Sequence, residues 1–157
     1  MTTRPKLGFI GLGVMGRPMA LNLINAGYAM TVYARRAAAA EPLAAAGARV
    51  AESPAEVARA ADVVFSLVTS SADSEEVALG AQGIVHGARA GSVVVDMATI
   101  SPLAARRIAA ALALNGIEHI DAPVSGGPAG AQAATLAIMA GGKQQVFERV
   151  RPLFACL

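Results

Sequence analysis

Three glycines, Gly11, Gly13 and Gly16, stand between a short apolar run and an amphipathic stretch, and few folds tolerate that spacing. Lys6–Ile10 is short, apolar and ends at the glycines, so it reads as a strand. Val14–Ala26 places Met15, Met19, Leu23 and Ala26 at helical spacing, and Gly27 supplies the stop. In a strand–turn–helix of this kind the first glycine permits the tight turn. The second lets backbone approach a pyrophosphate, and the third lets helix and strand pack closely. The helix N-terminus then offers free N–H groups and the positive end of its dipole to phosphates. A glycine turn without a ligand carries the same letters. The strand before it, the helix after it and a second strand beginning near Ala29 give the context of a dinucleotide site.

The same alternation continues to the end of the chain. Ala29–Tyr33 reads as a strand and Ala37–Ala46 as a helix by propensity, ended by Gly47. Ser53-Pro54-Ala55-Glu56 combines an N-cap, a proline at the first helical position and a glutamate three residues on, which predicts a short helix to Ala61. Asp62–Val68 follows as a strand. Its Val63-Val64-Phe65 run is apolar on consecutive positions, as in strands covered on both faces. Ser74–Leu79 predicts a helix, Ser92–Asp96 another doubly covered strand, and Ser101-Pro102 starts a helix that reaches Leu114 before Asn115-Gly116. Ile117–Asp121 and Thr135–Met139 read as strands, and Lys143–Phe154 as a last helix crossed by Pro152. Strands alternating with helices imply βαβ units and a doubly wound, mostly parallel sheet in a single α/β domain. With 4% aromatic residues and no Trp, the core must come from Val, Ile, Leu, Met and many Ala.

The charge pattern argues against a nucleic-acid partner. The net charge is +2, and the only adjacent basic pairs are Arg35-Arg36 and Arg106-Arg107. One cysteine, Cys156, excludes an internal disulfide and a CxxC metal site. His86 and His119 have no metal-ligand spacing and read as structural, so no metal is expected. The mean hydropathy of +0.52 is high, yet the apolar stretches are short, alanine-rich and interrupted, below the roughly 18 residues that span a bilayer. Met1–Lys6 leads directly into the first strand without a signal-peptide core, so a cytoplasmic protein without membrane contact is expected.

The end of the second strand bears on the nucleotide. An NAD-preferring domain carries Asp or Glu there, about 20 residues past the glycines, to accept from the ribose 2′-hydroxyl. Ala34 stands 18 residues past Gly16, Arg35 and Arg36 follow, and no acid occurs before Glu41. A carboxylate would repel a 2′-phosphate, whereas guanidinium groups bind one in bidentate fashion. The residues favour NADP(H), with NAD(H) as the second cofactor the motif admits; the bland reading is two solvated arginines at a helix start.

Phe9–Leu23, reading FIGLGVMGRPMALNL, together with Asp121–Gly127, reading DAPVSGG, resembles the β-hydroxyacid dehydrogenase family. That family includes 3-hydroxyisobutyrate dehydrogenase, tartronate semialdehyde reductase and the glyoxylate/succinic semialdehyde reductases, with 6-phosphogluconate dehydrogenase more distant. The first stretch alone is shared with imine reductases; the second is far more restrictive. The resemblance covers essentially the whole chain and implies a Rossmann-like NAD(P)-binding domain. It implies cofactor contacts from Gly11, Leu12, Gly13, Val14, Met15 and Gly16, from Ala34, Arg35 and Arg36, and from the loop Leu67-Val68-Thr69, where Thr69 replaces a usual proline. Thr99 matches a residue that reaches the nicotinamide end, next to Ala98, where relatives often carry serine. Ser125, Gly126 and Gly127 match the loop that holds the substrate carboxylate. By the residues alone this is an exposed turn whose free N–H groups suit an anion, or a plain strand-to-helix turn. Ala133-Ala134 stands where relatives usually carry glycine.

In that family a lysine on a long helix after the nucleotide domain is the general acid. By resemblance it lies beyond Leu157, and neither Lys6 nor Lys143 matches it, so no catalytic residue is assigned. Residues 1–157 are therefore read as the NAD(P)-binding domain, with the helical substrate and dimerisation domain absent. The parent protein would move hydride between a nicotinamide and a small 3-hydroxy acid or semialdehyde, in the manner of 3-hydroxyisobutyrate dehydrogenase or 2-hydroxy-3-oxopropionate reductase. It would be a homo-oligomer through the missing domain. The alternative is a stand-alone, non-catalytic nucleotide-binding or interaction module.

Overall fold

The computed structural model describes residues 4–157; Met1–Thr3, part of the N-terminal segment considered above, lie outside the described residues. The main sheet contains β1 (Leu7–Ile10), β2 (Met30–Tyr33), β3 (Arg49–Val50), β4 (Val63–Ser66), β5 (Val93–Asp96) and β6 (Glu118–Asp121). Its order is β3-β2-β1-β4-β5-β6, and every neighbouring pair is parallel. From β1 the chain builds outward to β3, returns to β4 on the other side of β1, and builds outward again to β6. The reversal between β1 and β4 opens a crevice at the carboxyl ends of those strands, where α/β sheets of this order bind ligands.

Successive strand residues point to opposite faces, and both faces are covered. On one, Leu7, Phe9, Val63, Phe65, Val93 and Val95 pack with Met19, Ala20 and Leu23 of α1 (Gly16–Asn25) and with Val146, Val150 and Leu153 of α7 (Gln144–Phe154). Phe9 and Phe65 stack there with ring centroids 5.9 Å apart. On the other face, Ile10, Val64 and Val94 meet Val57 and Ala58 of α3 (Pro54–Ala60) and Ile108 and Leu112 of α5 (Pro102–Ala113). The predicted cap of α3 is present: the Ser53 hydroxyl accepts from the Glu56 N–H at 3.2 Å.

The sequence-based elements differ from the structure in five places. The helix expected over Ala37–Ala46 is divided into a 3₁₀ turn, Ala37–Ala39, and α2 (Glu41–Ala45), because Pro42 has no N–H to continue a helix through Ala38 and instead occupies the first turn of a new one. β3 is an unforeseen edge strand of two exposed residues, too short for any period. The strand expected over Thr135–Met139 shrinks to β8 (Ala137–Ile138) and pairs antiparallel with β7 (Val124–Ser125), outside the main sheet. Between them α6 (Gly127–Ala133) forms despite its glycines, held by burial of Gly130 and Ala131 against α1 and by the Asn22 side-chain amide donating to the Ala131 carbonyl at 2.8 Å. α6 closes on Ala134 in the left-handed conformation, φ 56. α4 (Ser71–Leu79) starts earlier than expected, capped by Ser70. Among the described residues no helix is long and apolar enough to cross a membrane, and no group of three or more His, Cys, Asp or Glu could hold a metal ion.

Candidate cofactor-binding site

The crevice is set by contacts between backbones. Gly11 leaves β1 at φ 92, and a Cβ there would overlap the Leu67 carbonyl oxygen just beyond β4. The Leu67 N–H donates to the Ile10 carbonyl at 2.9 Å, fastening the loop after β4 to the end of β1. Gly16 sits so close to the Gly11 carbonyl oxygen that a Cβ would overlap it and would lie 3.1 Å from the Phe9 ring. A Cβ on Gly13, by contrast, would meet nothing within 4 Å. The N–H groups of Leu12, Gly13, Val14 and Met15 make no backbone hydrogen bond among the described residues. α1 begins without a side-chain cap and without an acid in its first turn. Free donors, a bare glycine and a positive helix end thus surround one space, and a pyrophosphate fits those donors.

That space opens into a cavity of about 290 Å³. It brings together Gly11, Leu12, Gly13, Ala34, Arg35, Arg36, Leu67, Val68 and Thr69, all singled out from the sequence. It does not include Val14, which is exposed, Met15, half-buried on the core, or Gly16, buried beneath the loop. Thr99, Ser125, Gly126 and Gly127 are exposed and lie off the cavity wall. Their loops follow β5 and β6 and so extend the same carboxyl edge of the sheet. The Met97 N–H donates to the Ser66 carbonyl at 2.8 Å and the Ala122 N–H to the Asp96 carbonyl at 2.7 Å, so the loops after β4, β5 and β6 form one bonded series. Gly126 (φ 142) and Gly127 (φ 63) make the turn from β7 into α6, in conformations that favour glycine.

Six wall residues were not singled out from the sequence: Ile10, Tyr33 and Ala39, and Asp73, Glu76 and Val77 on α4. Asp73 faces the arginine side of the cavity. Its Oδ2 accepts from the Ser70 hydroxyl and from the Thr69 hydroxyl, each at 2.8 Å, while its N–H donates to Ser70 Oγ at 3.1 Å. The Ser70 hydroxyl, then the Thr69 hydroxyl, and the Arg35 guanidinium hold its carboxyl below the ordinary range. Ser70-x-x-Asp73 is a legible capping pattern. Thr69, at the family's usual proline position, finds a role here as a donor to the cavity wall. The two lysines stand elsewhere: Lys6 precedes β1 at the amino edge of the sheet, and Lys143 Nζ pairs with Glu118 at 2.9 Å.

Residues 6–157 match the family model described as the NAD binding domain of 6-phosphogluconate dehydrogenase. The chain is 44% identical over 152 residues to 2-hydroxy-3-oxopropionate reductase of Escherichia coli (strain K12), covering 97% of this chain and 52% of that protein. The structure of Mycobacterium tuberculosis 3-hydroxyisobutyrate dehydrogenase with L-serine superposes with a TM-score of 0.91 at 35% identity, over 98% of this chain and 52% of that one. A structure of Psf3 in complex with NADP+ and 2-OPP gives a TM-score of 0.91 at 32% identity, over 96% of this chain and 53% of that one. The chain spans about half the length of the curated relatives it matches. With its 3-2-1-4-5-6 parallel sheet and its glycine crevice, the chain belongs to the family of the NAD binding domain of 6-phosphogluconate dehydrogenase, among the β-hydroxyacid dehydrogenases.

Proposed function

We propose that this chain binds NADP(H) in preference to NAD(H), as the cofactor half of an oxidoreductase acting on a small 3-hydroxy acid or its semialdehyde. The observation that carries the cofactor choice is the cavity wall itself: Ala34 where a ribose-binding acid would stand, with Arg35 and Arg36 beside it. Neither arginine makes an ion pair among the described residues, so both guanidinium groups are available to a 2′-phosphate. Across the cavity the Asp73 carboxylate is occupied by two hydroxyl donors and suits the exocyclic amine of an adenine. The free N–H groups of Leu12–Met15 hold the pyrophosphate, and Gly13 keeps the approach open. A bound nicotinamide would supply or accept the hydride. This chain's part is to orient that ring, through the loop bearing Thr99, and to hold a substrate carboxylate at Ser125, Gly126 and Gly127. The Mycobacterium tuberculosis enzyme was solved with L-serine and Psf3 with NADP+, which supports a small hydroxy acid as the substrate class and a phosphorylated cofactor. Titration calorimetry of the purified chain with NADPH and with NADH tests the reading. A preference of roughly ten- to hundredfold for NADPH is expected from one charge-assisted contact worth about 1.5–3 kcal/mol, and equal affinities overturn it.

A further inference from the structure

β5 and β6 each end in an aspartate, and each aspartate opens one of the two loops at the distal end of the crevice. Asp96 precedes the loop bearing Thr99; Asp121 precedes the turn bearing Ser125, Gly126 and Gly127. The two acids are register partners across parallel strands. Their side chains therefore leave the same face of the sheet, from strands about 4.8 Å apart. Ser66 is the register partner of Asp96 on the other side, so the last row across β4, β5 and β6 reads Ser66, Asp96, Asp121. Asp96 is 2% exposed. Its Oδ1 accepts from the Ala98 N–H at 3.0 Å, a bond that shapes the first turn of the Thr99 loop. The main chain of Asp121 is clamped to Gly141 by two hydrogen bonds of 3.0 and 2.7 Å, and its Oδ1 is buried with no hydrogen-bond partner among the described residues.

Two neighbouring carboxylates, one buried and the other half-buried with one oxygen shut off from water, cannot both be ionised at low cost. An orphan oxygen beside a second carboxylate has one simple remedy. Carrying the proton, Asp121 would become a donor, and its register partner Asp96 is the acceptor on the neighbouring strand. We propose that Asp96 and Asp121 are positioning residues that share one proton, and that the singly protonated pair holds the Thr99 loop and the Ser125–Gly127 turn in fixed relation. The inference rests on the assignment of those two segments to nicotinamide and substrate given above. Loss of the shared proton leaves two adjacent charges at the roots of both loops and drives the loops apart.

The electrostatics of the site agree. Burial raises the Asp96 carboxyl above the ordinary range; the Ala98 N–H and the Ser74 hydroxyl oppose that rise, the Asp121 charge adds to it and the Ser66 hydroxyl opposes it. Burial likewise raises Asp121. Other charged groups near the pair are already engaged or neutral. Glu75 of α4 pairs with Arg107 of α5 on the outer surface of the covering helices. Glu118 points to the opposite face and pairs with Lys143. His119, on the same face as Asp121, is kept neutral by burial.

Infrared difference spectroscopy of the whole 157-residue chain tests the shared proton. The carbonyl stretch of a protonated carboxylic acid is expected at neutral pH, lost on alkaline titration and absent from both Asp96→Asn and Asp121→Asn. A wild-type spectrum without that band, or a band that survives in either variant, overturns the pair. The wild-type measurement stands even where a variant folds poorly. NADH, which lacks the titrating 2′-phosphate, tests positioning: its affinity for the wild type should fall by up to about tenfold per pH unit as the band disappears. In Asp121→Asn, whose amide donates to Asp96 without a titrating proton, the profile should flatten. A flat wild-type profile overturns positioning. Failure of NADH and NADPH to bind at any pH overturns the assignment of the crevice instead, and the infrared result alone then decides for or against the pair.

Discussion

Gly16 lies against the carbonyl oxygen of Gly11 so closely that no Cβ fits between them, while Gly13, between the two in sequence, faces open space. The glycines therefore answer to different pressures: Gly16 to packing, and Gly13, on the function proposed above, to the approach of a ligand. Gly16→Ala should destabilise the fold by about 2 kcal/mol or more, because the obstacle is backbone and cannot turn aside. Gly13→Val should leave the urea midpoint near the wild-type value and abolish NADPH binding in calorimetry. A stable Gly16→Ala, or a Gly13→Val that binds normally, would reverse the assignment.

Ala134 offers a stabilising change. It holds φ 56 at the end of α6, where a Cβ is penalised and glycine is not. Ala134→Gly should raise stability by about 1 kcal/mol, seen as an increase in Tm. An unchanged or lower Tm would show that the gain in unfolded-chain entropy outweighs the relieved strain.

Arg35 lines the cavity opposite Asp73, whose carboxyl its charge helps to hold down. Arg35→Ala should weaken NADPH by roughly tenfold or more and NADH far less, so that the ratio of the two affinities contracts. Parallel losses for both cofactors would assign the guanidinium to the adenosine rather than to the 2′-phosphate.

His119 makes stability depend on pH with a definite sign. Burial depresses it from the ordinary 6.5 to about 4, and its Nε2 has no partner among the described residues. Between those values the unfolded chain binds a proton that the folded chain refuses. Stability contributed by the neutral imidazole is complete above 6.5 and is lost as the pH falls to about 4, by about 3 kcal/mol in all. His119→Leu should remove that slope from urea unfolding measured across the window; an identical slope in the variant would place the proton uptake elsewhere.

Hydride transfer to a carbonyl needs an acid for the developing oxygen charge, an effect typically worth 10²–10⁴ in rate. Lys6 and Lys143 stand away from the crevice, the second in an ion pair. The 157-residue chain by itself is expected to bind NADPH yet give no turnover of 3-hydroxyisobutyrate, tartronate semialdehyde or succinic semialdehyde in assays of nicotinamide absorbance. Robust turnover would assign proton transfer to a residue of this chain.

Much of this protein is legible from neighbours in sequence. Helical spacing, the Ser53 cap, the doubly apolar strands and the glycine turn are local properties, settled within a few residues, and each appears in the structure near its expected bounds. Nine of the residues singled out from the sequence meet in one cavity. Elements whose stability comes from partners were not legible. β3 and β7 are two residues each and exist through pairing, the strand expected over Thr135–Met139 keeps only the two residues of β8 that pair with β7, and α6 forms among glycines because it packs on α1. Only the strand order brings α4, with Asp73, against Arg35, and only the parallel register sets Asp96 beside Asp121. No local rule links residues 25 or more positions apart. Arg35 and Asp73 come within electrostatic reach of each other, and Asp96 and Asp121 become neighbours, because sheet order and register bring distant strands and helices together.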